Sequence, residues 1–137
     1  MTHIMIDIDL GFEEVEANNL IIANFIKLHK GDAMGGKEYL YNNKEHSDLY
    51  FHSSFEWIMP VLDKIERLGF DTAIVRKRID KDKVVYNCKI KIDTDEKAEM
   101  IANVISEYKI TAVWRAVTKF VSQYEIKEED KFKLKTT

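Results

Sequence analysis

The stretch DTAIVRKRIDKDKVVYNCKIKI, residues 71–92, decides the fold class of this chain. From residue 84 the side chains alternate: Val84, Tyr86, Cys88, Ile90 and Ile92 on one side, Val85, Asn87, Lys89 and Lys91 on the other. Successive side chains of a strand point to opposite faces, so this period reads as a half-buried strand. The run 71–79 precedes it through the polar loop Asp80-Lys81-Asp82-Lys83, which makes the pair a hairpin. Pairing Ile79 with Val84 sets Val75 against Cys88 and Ala73 against Ile90 on the oily side. The same register collects Arg76, Arg78, Lys89 and Lys91 on the opposite face, a candidate surface for an anionic partner.

On either side of the hairpin the periods are mixed. Ile4, Ile6, Ile8 and Leu10 alternate with Met5, Asp7 and Asp9, which gives a strand over 3–10. Residues 13–29 carry a wide helical stripe, ended by Gly31, Gly35 and Gly36. Strands are expected over 38–41 and 48–52, separated by Asn42-Asn43-Lys44. A helix over 54–68 starts at Ser53-Ser54-Phe55-Glu56, a capping-box spacing, and ends at Gly69. Pro60 should bend it. Ile101, Val104, Ile105 and Tyr108 predict a helix over 96–107, and Ile110, Val113, Trp114, Val117, Phe120, Val121 and Tyr124 predict another over 109–124. Because hairpins dominate the order, the fold class is α+β, a mainly antiparallel sheet packed by helices. One domain covers 1–124, and the charged tail 125–137 is expected to fray.

Bulk properties bound the function. A chain of 137 residues fits one domain, and its 45% apolar and 33% charged composition is that of a globular protein. No apolar run approaches the roughly 18 residues of a membrane span, and the opening lacks a signal-peptide layout. No membrane partner is expected. A single cysteine, Cys88, excludes an internal disulfide and fits a reducing cytoplasm. On the oily strand face it reads as a packing residue rather than a nucleophile. Net charge is −3, so nucleic acid is not an expected partner. Residues 70–91 nevertheless hold seven basic against three acidic residues, a local balance of +4 that suits a small anion.

The segment YFHSSFEWIMPVLDKIE, residues 50–66, resembles a family of small uncharacterised phage and prophage proteins that carry a "YHSSWDWLMPVVEKIE"-like stretch. Residues 110–120 are similar to the "KIEAVYNAVVEFI" helix of that family, and residues 19–26 to its opening helix. Phe55 stands where tryptophan is usual. The resemblance implies a mobile-element origin and an accessory role inside a bacterial host cell; it transfers no catalytic motif.

Three constellations carry candidate chemistry. The hairpin cations come first: an arginine fork suits phosphate, and lysines add point charge. His52-Ser53-Ser54 could hold an anion at a helix N-terminus, although Ser53 is better explained as a cap. The pattern echoes half of a two-histidine phosphoesterase motif whose other half is missing. Asp7-Ile8-Asp9 faintly resembles the opening of haloacid-dehalogenase-type phosphatases, without their remaining motifs. Trp114, inside a stripe, reads as core, whereas Trp57, off its stripe's centre, reads as a rim or interface residue.

The sequence therefore points to a non-enzymatic module, a homo-oligomer without a cofactor, that binds a small anionic, nucleotide-like ligand. Arg76, Arg78, Lys89, Lys91, His52 and Trp57 are its candidate binding residues. In its sharpest form it sequesters a nucleotide signal of host antiviral defence. The alternatives are a metal-dependent phosphoesterase built on Asp7 and Asp9, and an inhibitor of a host protein acting through the helix face around Trp57.

Overall fold

The computed structural model describes residues 11–31, 39–42, 44–93 and 98–136, with residues 93 and 125–136 as backbone only. The elements are α1 (Phe12–Phe25), β1 (Tyr39–Tyr41), β2 (Lys44–His46), α2 (Phe55–Arg67), β3 (Asp71–Asp80), β4 (Lys83–Asp93), β5 (Ala98–Ser106) and α3 (Lys109–Thr136). The fold is α+β, with one antiparallel sheet of order β3-β4-β5 and a small β1-β2 hairpin. The expected strand 3–10, with Asp7 and Asp9, lies outside the described residues.

Helix α3 packs on β4 and β5 and carries the centre of the core. Val113, Trp114, Ala116, Val117 and Val121 on it are fully buried, against Cys88, Ile90 and Ile101 of the sheet and Ile58, Val61 and Ile65 of α2. Each valine and isoleucine among them contributes about 1.5–3 kcal/mol of apolar burial. The helix begins where the stripe predicts and continues through the charged residues expected to fray, as far as Thr136.

Residues 98–106 form a strand, not the expected helix. A register shift between Ile90 and Lys91 leaves Ile101 as an extra residue between Met100 and Ala102. Ile101 and Ala102 are consequently both buried, and the strand changes phase. One change of phase converts a period of two into an i, i+3 spacing from Ile101 to Val104, which imitates a helix.

A second bulge resets the β3–β4 register. Asp80 pairs with Lys83 across a two-residue turn, and Asp80 Oδ1 accepts the Asp82 amide at 3.0 Å. Ile79 is then skipped, so Arg78 faces Val84, Arg76 faces Tyr86 and Ile74 faces Cys88. This is one residue away from the pairing that the pattern suggests, and a one-residue slip moves every side chain to the other face. Arg76 and Arg78 therefore share the side of Ile74 and Cys88, while Lys89 and Lys91 lie on the opposite side with Ala73 and Asp71. The four cations do not share a face. Ile74 supplies the core contact expected of Val75, and Ile79 is left 59% exposed.

The remaining boundaries have local causes. Helix α1 stops at Phe25, before the glycines, because Lys27 adopts a left-handed conformation with φ 61°. The amides of Lys27 and Leu28 bond back to the carbonyls of Asn24 and Ala23 at 3.1 and 2.8 Å, which is a Schellman closure. Helix α2 closes in the same way at Gly69, φ 103°. Its N-cap is Ser54, not Ser53, and no side chain caps it. The second strand of the small hairpin is Lys44–His46; residues 48–52 instead make the loop and turn that lead into α2.

Candidate functional site

Helix α1 carries one polar residue in its inward stripe of Val15, Asn19 and Ile22. Asn19 is 3% exposed, and a buried amide must find partners. Its Oδ1 accepts the Trp114 Nε1–H at 2.8 Å. Its Nδ2 lies 2.9 Å from His52 Nδ1 and donates to the Leu49 carbonyl at 3.4 Å. An indole nitrogen only donates, so it fixes which end of the amide is oxygen. The amide nitrogen then donates to His52 Nδ1, which must be unprotonated. Neutral His52 is therefore the Nε2–H tautomer, held by a relay that starts in the core.

This relay forms one wall of a cleft of about 860 Å³ between α1, the 48–53 loop and the start of α3. Tyr39, Tyr50 and Phe12 give the cleft aromatic surface, and Thr111 and Ser53 add hydroxyls. Its charged lining among the described residues is Glu16, Asp48 and Lys30. The Lys30 ammonium sits 5.8 Å from the centre of the Tyr39 ring. Asp48 Oδ1 accepts the Leu49 amide at 2.8 Å, which orders the loop. Burial holds the His52 imidazole below its ordinary pKa, and the Asp48 carboxylate opposes that shift.

Geometry limits what His52 can do. A general base acting through Nε2 needs its proton on Nδ1, facing an acceptor. Here Nδ1 faces an amide N–H instead. At neutral pH His52 offers a hydrogen-bond donor, not a base. Ser53 lies next to it in the chain, its amide bonded to the Tyr50 carbonyl at 3.2 Å.

The other sequence candidates scatter. Arg76 and Arg78 are exposed on β3, where Arg78 donates to the Lys81 carbonyl at 3.3 Å; Lys89 and Lys91 lie across the sheet from them. Only His52 of the six lines the cleft. Trp57 is 5% exposed, so it is not a rim residue. Its ring is enclosed by Tyr41, His46, Tyr50 and Phe51, with centroids at 4.6, 4.7, 5.4 and 5.2 Å. The small hairpin and the 50–51 turn fold over it, an enclosure that helical spacing within α2 cannot reveal. Trp114 is core, as its stripe predicts, but its indole N–H also sets the cleft relay. Cys88 is fully buried, and burial pushes its thiol up to about 11.

No family model, curated protein or solved structure matches the chain.

Sequence reasoning missed Asn19, Asp48 and Lys30, and it suggests Tyr39 and Tyr50 as stacking surfaces without placing them. Asn19 had a signal: a single amide inside an otherwise apolar stripe. The others are loop and short-strand residues whose convergence is set by contacts far apart in the chain. Among the described residues no group of three or more His, Cys, Asp or Glu is arranged to hold a metal ion.

Proposed function

We propose that this chain is a binding protein whose ligand is a small planar ring compound carrying a hydrogen-bond acceptor, held in the cleft beside His52. The observation that carries this reading is the Trp114–Asn19–His52 relay. A buried hydrogen-bond chain that ends in a fixed Nε2–H donor at the wall of a cleft is preorganised for an acceptor. Aromatic surface from Tyr39 and Tyr50 suits a flat ring, and about 860 Å³ lies within the range of small-ligand sites. Among the described residues, two carboxylates against one ammonium favour a nucleobase- or nucleoside-like ligand over one with several phosphates at this position. Binding without turnover needs no acid–base pair, which agrees with the tautomer.

In the mobile-element setting that the sequence resemblance implies, such a protein would act by sequestering its ligand inside the host. The test is a nuclear magnetic resonance titration with nucleobases and nucleosides, observing the His52 ring and the Trp114 indole N–H. Saturable shifts at both in the native chain, with a weaker response of the Trp114 indole N–H in His52→Gln, are the expected result. A panel that leaves both resonances unmoved, or a response identical in His52→Gln, would reject the reading.

A further inference from the structure

A second, smaller concavity of about 380 Å³ lies on another side of the 26–30 and 39–41 segments. Its lining includes apolar Ile26, Leu40 and Pro60, and its charged lining among the described residues is Lys27, Lys64 and Arg67. No carboxylate belongs to that lining. None of the three cations makes an ion pair with a described residue.

Part of this arrangement has a plain explanation. Lys64 and Arg67 occupy the last turn of α2, where positive charge complements the helix dipole. The Lys64 ammonium also donates to the Phe25 carbonyl at 2.9 Å, which caps the end of α1, and it sits 4.8 Å from the Phe25 ring centre. Neither contact explains why Lys27 is brought to the same place. Lys27 sits there because the Schellman closure of α1 turns the chain through a left-handed residue, a position that ordinarily selects glycine. A lysine at that position costs backbone energy and adds repulsion to the two other cations. Burial, then Lys27 and Arg67, hold the Lys64 amine below its ordinary pKa.

We infer that this concavity is an anion site for a phosphate group, with Arg67 supplying a planar fork and Lys27 and Lys64 supplying ammonium donors. Three cations converge on one recess whose described lining holds no carboxylate, and a dianion relieves their mutual repulsion. The site is independent of the cleft at His52 and stands whether or not that cleft takes a ligand. It also relocates the anion-binding role that sequence patterning suggests for the hairpin.

The probes are inorganic phosphate and pyrophosphate, titrated into the full chain at constant ionic strength and followed by backbone amide resonances. Two variants spare the core: Lys27→Gly removes a cation while suiting the left-handed backbone, and Arg67→Gln removes an exposed one. The expected result is saturable shifts centred on residues 26–28 and 64–67, with each variant binding about tenfold more weakly. Absence of saturable shifts overturns the inference. So do shifts centred on the 76–83 hairpin or the His52 cleft, or affinities that the two variants leave unchanged.

Discussion

The Asn42 side chain donates to the Glu56 carbonyl at 3.3 Å, and Glu56 is the residue whose helical acceptor Pro60 leaves without an N–H. One residue further on, the Tyr41 hydroxyl donates to the Trp57 carbonyl at 2.9 Å. The small hairpin thus answers the gap that proline opens in α2. Tyr41 is pushed up to about 12 by burial, so its hydroxyl remains a donor through the physiological range.

That pairing predicts a coupling. Asn42 has φ 54°, so Asn42→Gly removes the amide without straining the turn. In the native background the loss should be about 0.5–1 kcal/mol, the worth of an exposed to part-exposed hydrogen bond. In a Pro60→Ala background residue 60 supplies its own N–H to Glu56, and the same substitution should cost close to nothing. Urea midpoints for the four proteins measure the difference. Equal losses in both backgrounds would mean that Asn42 does not serve the proline gap.

Lys27→Gly should raise stability by about 0.5–1 kcal/mol, because the left-handed conformation that lysine tolerates at a cost is free to glycine. Lys27→Val, β-branched at positive φ, should lower it. Thermal melts of the two variants should move in opposite directions. A destabilised glycine variant would show that the lysine side chain contributes more than its backbone costs.

The elements legible in the sequence are those with an uninterrupted period. The α2 stripe, the α3 stripe and the β4 alternation all appear close to where the pattern puts them. What failed depends on single skipped residues: Ile101 turns a strand into an apparent helix, and Ile79 moves the cationic pairs to opposite faces. A bulge is chosen by turn geometry and packing, and hydrophobic period alone does not locate it. The cleft was illegible for a different reason. Its defining bond joins Asn19 to Trp114, 95 residues apart; Trp114 belongs to a stripe that reads as plain core, and the lone amide of Asn19 does not name its partner.

Acid should weaken the fold through His52. Its folded pKa lies below the ordinary 6.5 because burial disfavours the charged ring. Below about pH 6.5 the unfolded chain therefore takes up a proton that the native state resists. Stability is unaffected by this group above the unfolded pKa and declines as pH falls toward the folded one. Denaturant midpoints recorded from about pH 7.5 to 5 should fall more steeply for the native chain than for His52→Gln. Parallel curves would assign the acid sensitivity elsewhere.

Trp114→Phe tests the relay from its buried end. The substitution keeps an aromatic ring in the core but removes the indole N–H, the donor to Asn19 Oδ1 among the described residues. A buried carbonyl oxygen left unsatisfied costs about 1–3 kcal/mol. The amide has one escape: it can turn over, presenting its oxygen to His52 Nδ1. The imidazole proton would then move from Nε2 to Nδ1, since the new neighbour accepts. Nitrogen-15 shifts of the His52 ring distinguish the two tautomers directly. The native chain should show Nδ1 unprotonated, and Trp114→Phe should show a substantial population of the other form. With that change the cleft loses its fixed donor, so ring-ligand affinity should fall even though residue 114 sits behind Asn19. A native His52 that already carries its neutral proton on Nδ1 would break the chain of inference at its first step.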